Sequence, residues 1–414
     1  MGDTVSKTII NIAERETAAL YKIYCTLMKM YPREDATKSM ESDFFRSAKK
    51  MIKAKTLSLT TVYNKVFQEY NALTKQINDM ERANSDVGEE TYASQINLSL
   101  QMKLFEKAIE MKKIENQKAP KHPVENNLLE HGYFGAVTPT KATIKAKWKT
   151  GVIQQQRNGF RAIYYENDRG EFLTSYDTRV FIGLFRLWLD QGKPEIVSFE
   201  FSDLAKVLEM DSNGGDYIRI YESLLTISRT QITMMECYDP TNKISRRTIH
   251  HHPLNTLEFI ARQGEEPGRE RAAEITFHEI LQANLLAGNY LLINMVLYND
   301  LQKPISKTLY LTLMNAVHKG VRSFEVDRLC EHLNLQTTSN RTQTVTALVE
   351  AFQELKDISV LSSFETITGA RRSLKFIEFE PSDWVIKQNQ SQLSSMHESV
   401  SDSYGVQQLT FPMS

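Results

Sequence analysis

The sequence predicts a mainly α protein with small β-hairpins (class α+β), in which an N-terminal helical region precedes two copies of one small unit. Three observations support this prediction: helical spacing of apolar residues over 1–118, alternating short helices and strand-like runs from about residue 165, and an internal repeat at an offset of 125 residues. A chain of 414 residues is long enough for two or three domains, each with its own core.

Residues 1–118 are predicted to form a bundle of long helices. Apolar residues recur there at helical spacing, as in Ile96, Leu100 and Leu104, and no proline occurs between Pro32 and Pro120. An apolar stripe of this kind packs the core of a bundle, and it also forms the contact face of a homodimer or of a complex with another protein. The sequence leaves both uses of the bundle open.

Composition excludes several classes of protein. The chain carries 50 basic and 51 acidic residues, so nucleic acid would have to bind through a local patch rather than through net charge. The three cysteines lie far apart without a CxxC pair, which argues against a cysteine zinc site or a disulfide framework, and we expect no cofactor. The uncharged run 280–299 contains five amide side chains and is predicted to be buried core rather than a membrane span. Because charged residues also occupy the first turns of the chain, we expect a cytoplasmic protein without membrane contact.

Residues 119–164 are predicted to be a linker followed by a basic arm. The linker begins with "APKHPVE", and the arm lies within 136–161, which has no acidic residue. The arm contains Lys145, Lys147 and Lys149, which surround Trp148. Such a stretch can be a solvated strand edge or can contact phosphate groups, and composition alone does not decide between the two.

The repeat predicts two domains of the same fold. The segment "SFEFSDLAKVLEM" (198–210) aligns with "SFEVDRLCEHLNL" (323–335). Each segment follows a helix that ends in glycine, and each precedes a polar turn, a second amphipathic helix and a hairpin. In the first copy the turn sequence "DPTN" separates the two strand-like runs "QITMMECY" and "KISRRTIHHH". The order helix, strand, helix, helix, hairpin is that of a winged helix-turn-helix, which we place at 165–264 and at 272–387.

These two units carry the candidate DNA-contacting residues. A winged-helix domain places the first turns of its second helix in the major groove, and its hairpin reaches phosphate groups or the minor groove. Arginine can pair bidentately with guanine, and asparagine or glutamine with adenine. The candidates on the second helices are Asn213, Arg219, Ser223, Asn340, Arg341, Gln343 and Thr344. The candidates on the hairpins are Lys243, Arg246, Arg247, Arg371, Arg372 and Lys375. The alternative is that the units contact other proteins while their basic tips are solvated.

The stretch 165–385 resembles bacterial plasmid replication initiators of the replication initiator protein A type. The similarity lies in "YDTRVFIGLFRLW", in "DYIRIYESLLTISRTQI", in "ITFHEILQANLLAGNYLLINMVLYNDL" followed by "KTLYLTL", and in "LVEAFQELKDI". The resemblance implies two winged-helix domains that bind repeated sites on double-stranded DNA at a plasmid or phage origin. It also implies opening of neighbouring A·T-rich duplex and recruitment of host replication proteins that load the helicase. The helical region 1–118 departs from the compact plan of that family.

Three consecutive histidines, His250, His251 and His252, raise the question of a metal site or a nickase centre. A rolling-circle nickase requires two histidines separated by an apolar residue on a strand, whereas here the middle position is itself histidine and Pro253 follows at once. Zinc requires three or four ligands from more than one element, and no cysteine or carboxylate cluster lies nearby in the sequence. We therefore predict that the histidines form a polar strand of the first hairpin, and that the protein is not an enzyme.

The tail, residues 388–414, is rich in serine and glutamine and is predicted to be disordered. Its last residues, "QQLTFPMS", resemble a sliding-clamp-binding peptide in part. The candidate clamp contacts are Gln407, Leu409 and Phe411, and a plain tail is the alternative.

The leading expectation is a non-enzymatic replication initiator. The alternatives are a transcriptional repressor or autorepressor with tandem winged helices, a nickase-type initiator, and a scaffold protein in which the N-terminal bundle is the working part. Direct repeats beside an A·T-rich tract near the gene would favour the initiator, whereas a lone palindrome over the promoter would favour the repressor.

Overall fold

The computed structural model describes most of the chain in stretches separated by short gaps. The described residues are 2–130, 152–157, 161–167, 173–210, 214–234, 249–261, 270–333, 335, 341–369 and 374–401. The chain divides into two compact units, the first comprising 1–119 with 357–359 and the second comprising 120–356 and 360–414. None of the described helices is long and apolar enough to cross a membrane.

Five helices form the first unit. They are α1 (Gly2–Leu27), α2 (Arg33–Ser39), α3 (Glu41–Lys49), α4 (Thr56–Arg82) and α5 (Glu89–Gln117). The apolar stripe predicted in α5 faces the core, since Leu100 and Leu104 are buried in one cluster with residues of the other helices, and Ile96 packs against that cluster. The absence of internal proline is what lets α4 and α5 continue for 27 and 29 residues.

Two buried polar contacts connect the helices of this bundle. The Glu16 carboxylate of α1 accepts a hydrogen bond from the Ser47 hydroxyl at 3.2 Å. It also forms an ion pair with the Lys50 ammonium at 2.7 Å. The Asn116 amide near the end of α5 donates to the Thr56 hydroxyl at the start of α4, at 3.1 Å. Because an unpaired polar group in a core is costly, each contact favours one register of the packed helices.

The second unit alternates short helices with small antiparallel sheets. Its elements are β1 (Lys121–Glu125), α6 (Asn126–Glu130), β2 (Val152–Arg157), β3 (Arg161–Asn167), α7 (Ser175–Asp190), β4 (Val197–Glu200), α8 (Phe201–Val207), α9 (Gly214–Arg229), β5 (Thr230–Met234), β6 (Ile249–His251), β7 (Leu254–Ile260), β8 (Ala272–Phe277), α10 (Glu279–Leu286), β9 (Tyr290–Asn294), α11 (Met295–Asp300), α12 (Pro304–His318), β10 (Ser323–Glu325), α13 (Val326–His332), α14 (Arg341–Asp357), β11 (Leu361–Thr368), β12 (Leu374–Pro381) and α15 (Asp383–Ser401).

One element order occurs twice in this unit. The first copy runs α7, β4, α8, α9, β7, β8, with β5 and β6 inserted between α9 and β7, and the second runs α12, β10, α13, α14, β11, β12. In each copy the last strand lies between the other two, giving the antiparallel sheets β4-β8-β7 and β10-β12-β11. The repeat found in the sequence therefore corresponds to a duplication in which strand pairing is the same, and in which the element order is the same apart from the inserted strands β5 and β6.

Aromatic residues fill the core of each copy. In the first copy Phe185 of α7 packs on Phe277 of β8, with ring centroids 4.9 Å apart. In the second copy Phe379 of β12 stacks on Phe324 of β10 at 5.0 Å and lies beside Phe352 of α14 at 6.3 Å. Phe324 belongs to the Ser-Phe-Glu motif of the repeat, so this part of the repeated sequence is core-forming.

Gly183 explains how closely α7 and α8 approach. A Cβ atom at this position would lie 2.7 Å from Leu208 Cδ2 and 2.9 Å from Leu204 Cδ1. Leu204 and Leu208 are the repeat leucines of the first copy, so their side chains occupy the space that glycine leaves open.

The hairpin predicted for the first copy is wrong. Strands β5 and β6 do pair, with Met234 opposite Ile249, but they belong to a separate sheet of order β2-β3-β5-β6. The strands that occupy the hairpin position of the repeat are β7 and β8. The predicted boundary between 264 and 272 consequently falls inside this hairpin, and 272–277 belongs to the first copy. Local strand signals identify hairpins, but they do not tell which hairpin pairs with β4.

The interpretation of 119–125 as a linker is also wrong for residues 121–125. These residues form β1, which pairs antiparallel with β9 from Lys121 opposite Asn294 to Glu125 opposite Tyr290. Proline is accepted at position 123 because β1 is an edge strand of a two-stranded sheet.

The tail begins later than the sequence predicts, because α15 continues to Ser401. The Gln388 amide donates to the Leu292 carbonyl at 2.6 Å, and the Gln392 amide donates to the Tyr290 carbonyl at 2.5 Å. The Gln392 side-chain oxygen also accepts the Leu292 N–H at 3.1 Å. These amides satisfy the backbone groups on the second edge of β9, so a polar composition here reflects strand-edge contacts rather than disorder.

Candidate nucleic-acid interface

The first turn of α7 is joined to the middle of α9 by buried hydrogen bonds. Thr174 caps α7 by accepting the N–H groups of Tyr176 and Asp177, while Asp177 Oδ2 accepts the Thr174 N–H at 2.7 Å. Asp177 Oδ1 accepts the Ser223 hydroxyl of α9 at 2.6 Å. Burial raises the pKa of the Asp177 carboxyl, and the hydrogen bonds from Ser223 and Thr174 oppose that rise.

Ser223 therefore does not lie on the exposed face of α9, and its prediction as a DNA-contacting residue is wrong. Its side chain is 2% exposed, and its hydroxyl is used within the protein. The reason is visible in the helix spacing: Ser223 follows the buried Ile220 by three residues and precedes the buried Leu224.

Arg219 does lie on the exposed face of α9. Its guanidinium carbon stands 4.3 Å from the centroid of the Tyr176 ring, which projects from the first turn of α7. The Tyr176 hydroxyl is directed to the Met210 sulfur at 3.8 Å. Burial raises the pKa of Tyr176 to about 12, against the opposing influence of Arg219 and Arg179, so the ring that Arg219 covers is a neutral phenol.

Two further residues, which were not among the predicted contacts, lie on this exposed face of α9. Ile218 is 59% exposed although it is large and apolar, and Glu222 is exposed one turn later. Isoleucine can contact a thymine methyl group, and glutamate can accept from the cytosine amino group. The signal for Ile218 was present in the sequence, since an isoleucine off the apolar stripe of an amphipathic helix has no packing role.

The second copy has an arginine at the start of its second helix, three residues before the repeat position of Arg219, and holds it by different contacts. Arg341, the first residue of α14, donates from Nε and Nη2 to Asp327 Oδ1 of α13 at 3.2 and 2.8 Å. Nη2 also donates to the Leu374 carbonyl at the start of β12, at 3.4 Å. This one side chain thus connects three elements of the second copy.

The other described candidates of the second copy differ in exposure. Gln343 of α14 and Lys375 of β12 are exposed, whereas Thr344 is half-buried and makes a contact within the protein. Gly369 lies against the Lys375 stem, since a Cβ atom at Gly369 would come within 2.6 Å of Lys375 Cγ. The aliphatic part of the Lys375 side chain therefore packs across the hairpin against Gly369.

Many predicted contacts lie outside the described residues. These are Lys145, Lys147, Lys149, Asn213, Lys243, Arg246, Arg247, Asn340, Arg371, Arg372, Gln407, Leu409 and Phe411.

The histidine run ends β6 and alternates in exposure, with His251 buried between exposed His250 and His252. The His251 ring stacks on the His278 ring at 4.2 Å, and its Nδ1–H donates to the His252 carbonyl at 3.0 Å. Burial lowers the pKa of His251 to about 4, so this ring is neutral at pH 7. Among the described residues, no group of three or more His, Cys, Asp or Glu side chains is placed to hold a metal ion. The run is a strand of the four-stranded sheet, not of the hairpin of the first copy.

No protein-family model matches the chain, and no curated protein matches it significantly. A crystal structure of selenomethionine derivatives of domains 2 and 3 of RctB aligns with a TM-score of 0.44 at 11% identity, covering 62% of this chain and 99% of that one. A second crystal structure of RctB domains 2–3 aligns with a TM-score of 0.38 at 12% identity, covering 58% and 93% of the two chains. At TM-scores below 0.5 these alignments carry no inference about function.

Proposed function

We propose that this chain is a non-enzymatic, sequence-specific DNA-binding protein that acts as a replication initiator through two tandem winged-helix domains. The observation that carries this proposal is the duplicated order of helix, strand, helix, helix and hairpin, with the same strand pairing in both copies. In a winged helix-turn-helix the second helix enters the major groove and the hairpin lies along the backbone. In this proposal, helices α9 and α14 take the role of the second helix, and the hairpins β7–β8 and β11–β12 take the role of the wing.

Exposure selects the residues that can face DNA. In α9 these residues include Ile218, Arg219 and Glu222, and in the second copy they include Gln343 and Lys375. Apolar, cationic and anionic groups in the first copy, and amide and cationic groups in the second, suit the mixed pattern of base-pair edges, whereas phosphate binding alone would call only for cations.

The initiator role is supported by the resemblance of 165–385 to plasmid replication initiators. Two domains in one chain can cover two neighbouring major-groove segments, which suits the repeated sites of an origin. In this proposal the bound protein opens adjacent A·T-rich duplex and recruits host replication proteins, and the helical bundle supplies contacts for a homodimer or for those host proteins.

The proposal is tested by binding the full-length protein to duplex fragments from its own locus over a salt series. We expect binding to repeated sites, with affinity that falls steeply as salt rises. Permanganate, which oxidises unpaired thymines, should then modify an A·T-rich tract next to those sites. Specific binding without permanganate reactivity would favour a repressor, and binding without sequence preference would contradict the proposal.

Matched variants separate the two kinds of contact. Gln343→Ala should cost about 1–3 kcal/mol at one base pair of the site, and Lys375→Ala should reduce the salt slope by about 1 without changing base preference. Arg82→Ala is the control, because it removes an exposed positive charge from the end of α4 in the first unit. We expect this control to bind as the unaltered protein does.

A further inference from the structure

Both copies offer an arginine on the second helix, but different chemistry holds each one. Arg219 lies against an aromatic ring, whereas Arg341 is bound by a carboxylate and a backbone carbonyl. The two arrangements therefore differ in which guanidinium N–H groups remain available to pair with a base.

The Arg219 guanidinium carbon lies 4.3 Å from the centroid of the Tyr176 ring, the separation of a guanidinium held over an aromatic face. The N–H donors lie in the plane of that group and point outward from its edges, so a stacked arginine keeps its donors. Among the described residues, Arg219 makes neither a hydrogen bond nor an ion pair within the protein. The Tyr176 ring is itself fixed, because the Thr174–Asp177 capping box and the Ser223–Asp177 bond tie the first turn of α7 to α9.

The N–H groups of Arg341 that bidentate pairing with a base requires already donate hydrogen bonds within the protein. Each two-donor edge of a guanidinium includes Nη2, paired either with Nε or with Nη1. Nη2 of Arg341 donates both to Asp327 and to the Leu374 carbonyl, and Nε also donates to Asp327. Neither edge is left to pair with guanine O6 and N7.

We infer that Arg219 is the guanine-reading arginine of this protein, that Tyr176 is its positioning residue, and that Arg341 is an internal tie. The two domains then read DNA by different chemistry: the first selects guanine through Arg219, while the second relies on groups such as Gln343. This inference rests on the proposed function, since it concerns how the same surface recognises its site. It gives one molecule a direction on DNA, because its two half-sites differ in sequence.

The test is selection of binding sites from a randomised duplex DNA library by the full-length protein and its variants. Arg219→Ala and Arg219→Lys should both lose a guanine preference in one half-site, by about 5-fold to 150-fold in affinity for the selected duplex. The lysine variant keeps the charge but lacks the two-donor edge, so its loss reports bidentate pairing rather than phosphate attraction.

Tyr176 is tested by a pair of substitutions. Tyr176→Phe retains the ring face and should keep the guanine preference, whereas Tyr176→Leu removes it and should weaken that preference by about two- to fivefold. Loss of preference in Tyr176→Leu with recovery in Tyr176→Phe marks the ring as positioning Arg219. Equal behaviour of the two variants would overturn this role.

Arg341→Ala and Arg341→Lys should lower the thermal midpoint and leave the selected sequence unchanged. If the unaltered protein selects a site and an Arg341 variant that folds loses a guanine while Arg219→Ala does not, the inference is overturned. If the unaltered protein selects no sequence at all, the proposed function itself fails, and the two failures are thereby distinguished.

Discussion

Glu125 provides a sharp test of the buried electrostatics of the second unit. It ends β1 fully buried, and its Oε2 atom accepts the Leu128 N–H at 2.9 Å in the first turn of α6, while Oε1 has no hydrogen-bond partner among the described residues. Burial raises the pKa of this carboxyl to about 8, although hydrogen bonds from Leu128 and Asn127 oppose the rise. The folded protein thus carries Glu125 in its neutral form at pH 7.

The direction in which pH changes the stability follows from the pKa of Glu125 in the unfolded chain and in the folded protein. In the unfolded chain the carboxyl ionises near its ordinary pKa of 4.5, and in the fold it ionises near 8. The stability contributed by the neutral group is complete below pH 4.5 and is lost as the pH rises from there to about 8, at about 1.4 kcal/mol per pH unit. Between pH 5 and pH 7.5 the loss is about 3 kcal/mol.

Glu125→Gln removes this loss, because glutamine is neutral at every pH and has a similar shape. No tryptophan occurs in residues 1–119, so tryptophan fluorescence during urea unfolding follows the second unit. The free energy of unfolding of the variant, relative to the unaltered protein, should rise by about 3 kcal/mol between pH 5 and pH 7.5. An additional unpaired amide N–H lowers the variant's stability equally at both pH values, so the slope is the quantity to compare.

Glu378→Gln is the control, because it removes an exposed carboxylate from β12 of the same unit. This variant should retain the pH dependence of the unaltered protein. If Glu125→Gln runs parallel to the unaltered protein from pH 5 to pH 7.5, Glu125 is ionised in the fold and the reasoning is refuted.

Three further substitutions probe other buried contacts of the second unit by the same fluorescence assay. His251→Phe keeps a ring to stack on His278 but cannot be protonated. Because burial lowers the pKa of His251 from 6.5 to about 4, the stability that the neutral ring contributes is complete above pH 6.5 and is lost as the pH falls to 4. The variant should lack this loss of stability in acid. Gln392→Ala removes one of the two glutamine side chains that bond the second edge of β9 and should lower the free energy of unfolding by about 1–3 kcal/mol, whereas Lys387→Ala, at an exposed position, should leave it unchanged. Ser223→Ala leaves a buried Asp177 oxygen without its hydroxyl donor and should cost about 1–3 kcal/mol, and an unchanged urea midpoint would contradict the assignment of Ser223 to the core.

The sequence by itself determined the features that depend on local periodicity. The stripe of Leu100 and Leu104 predicted a long helix with a buried face, and the Ser-Phe-Glu repeat predicted a duplicated unit. The stripe follows from residues within a few turns of one another, where side-chain spacing and backbone geometry are directly linked, and the duplication follows from the similarity of two segments of the chain to each other. Arg219 was also within reach, since it falls beside the apolar stripe of α9.

Only the tertiary structure decided which elements become partners. The pairing of β1 with β9, and of β4 with β8 instead of an earlier hairpin, joins segments far apart in the chain. The same holds for Ser223, which the bond to Asp177 buries, and for Arg341, whose donors are taken by Asp327 and Leu374. The position of a residue in the sequence indicates which face of its own helix the side chain occupies. Whether that face meets protein, water or DNA depends on which distant segments of the chain pack against it.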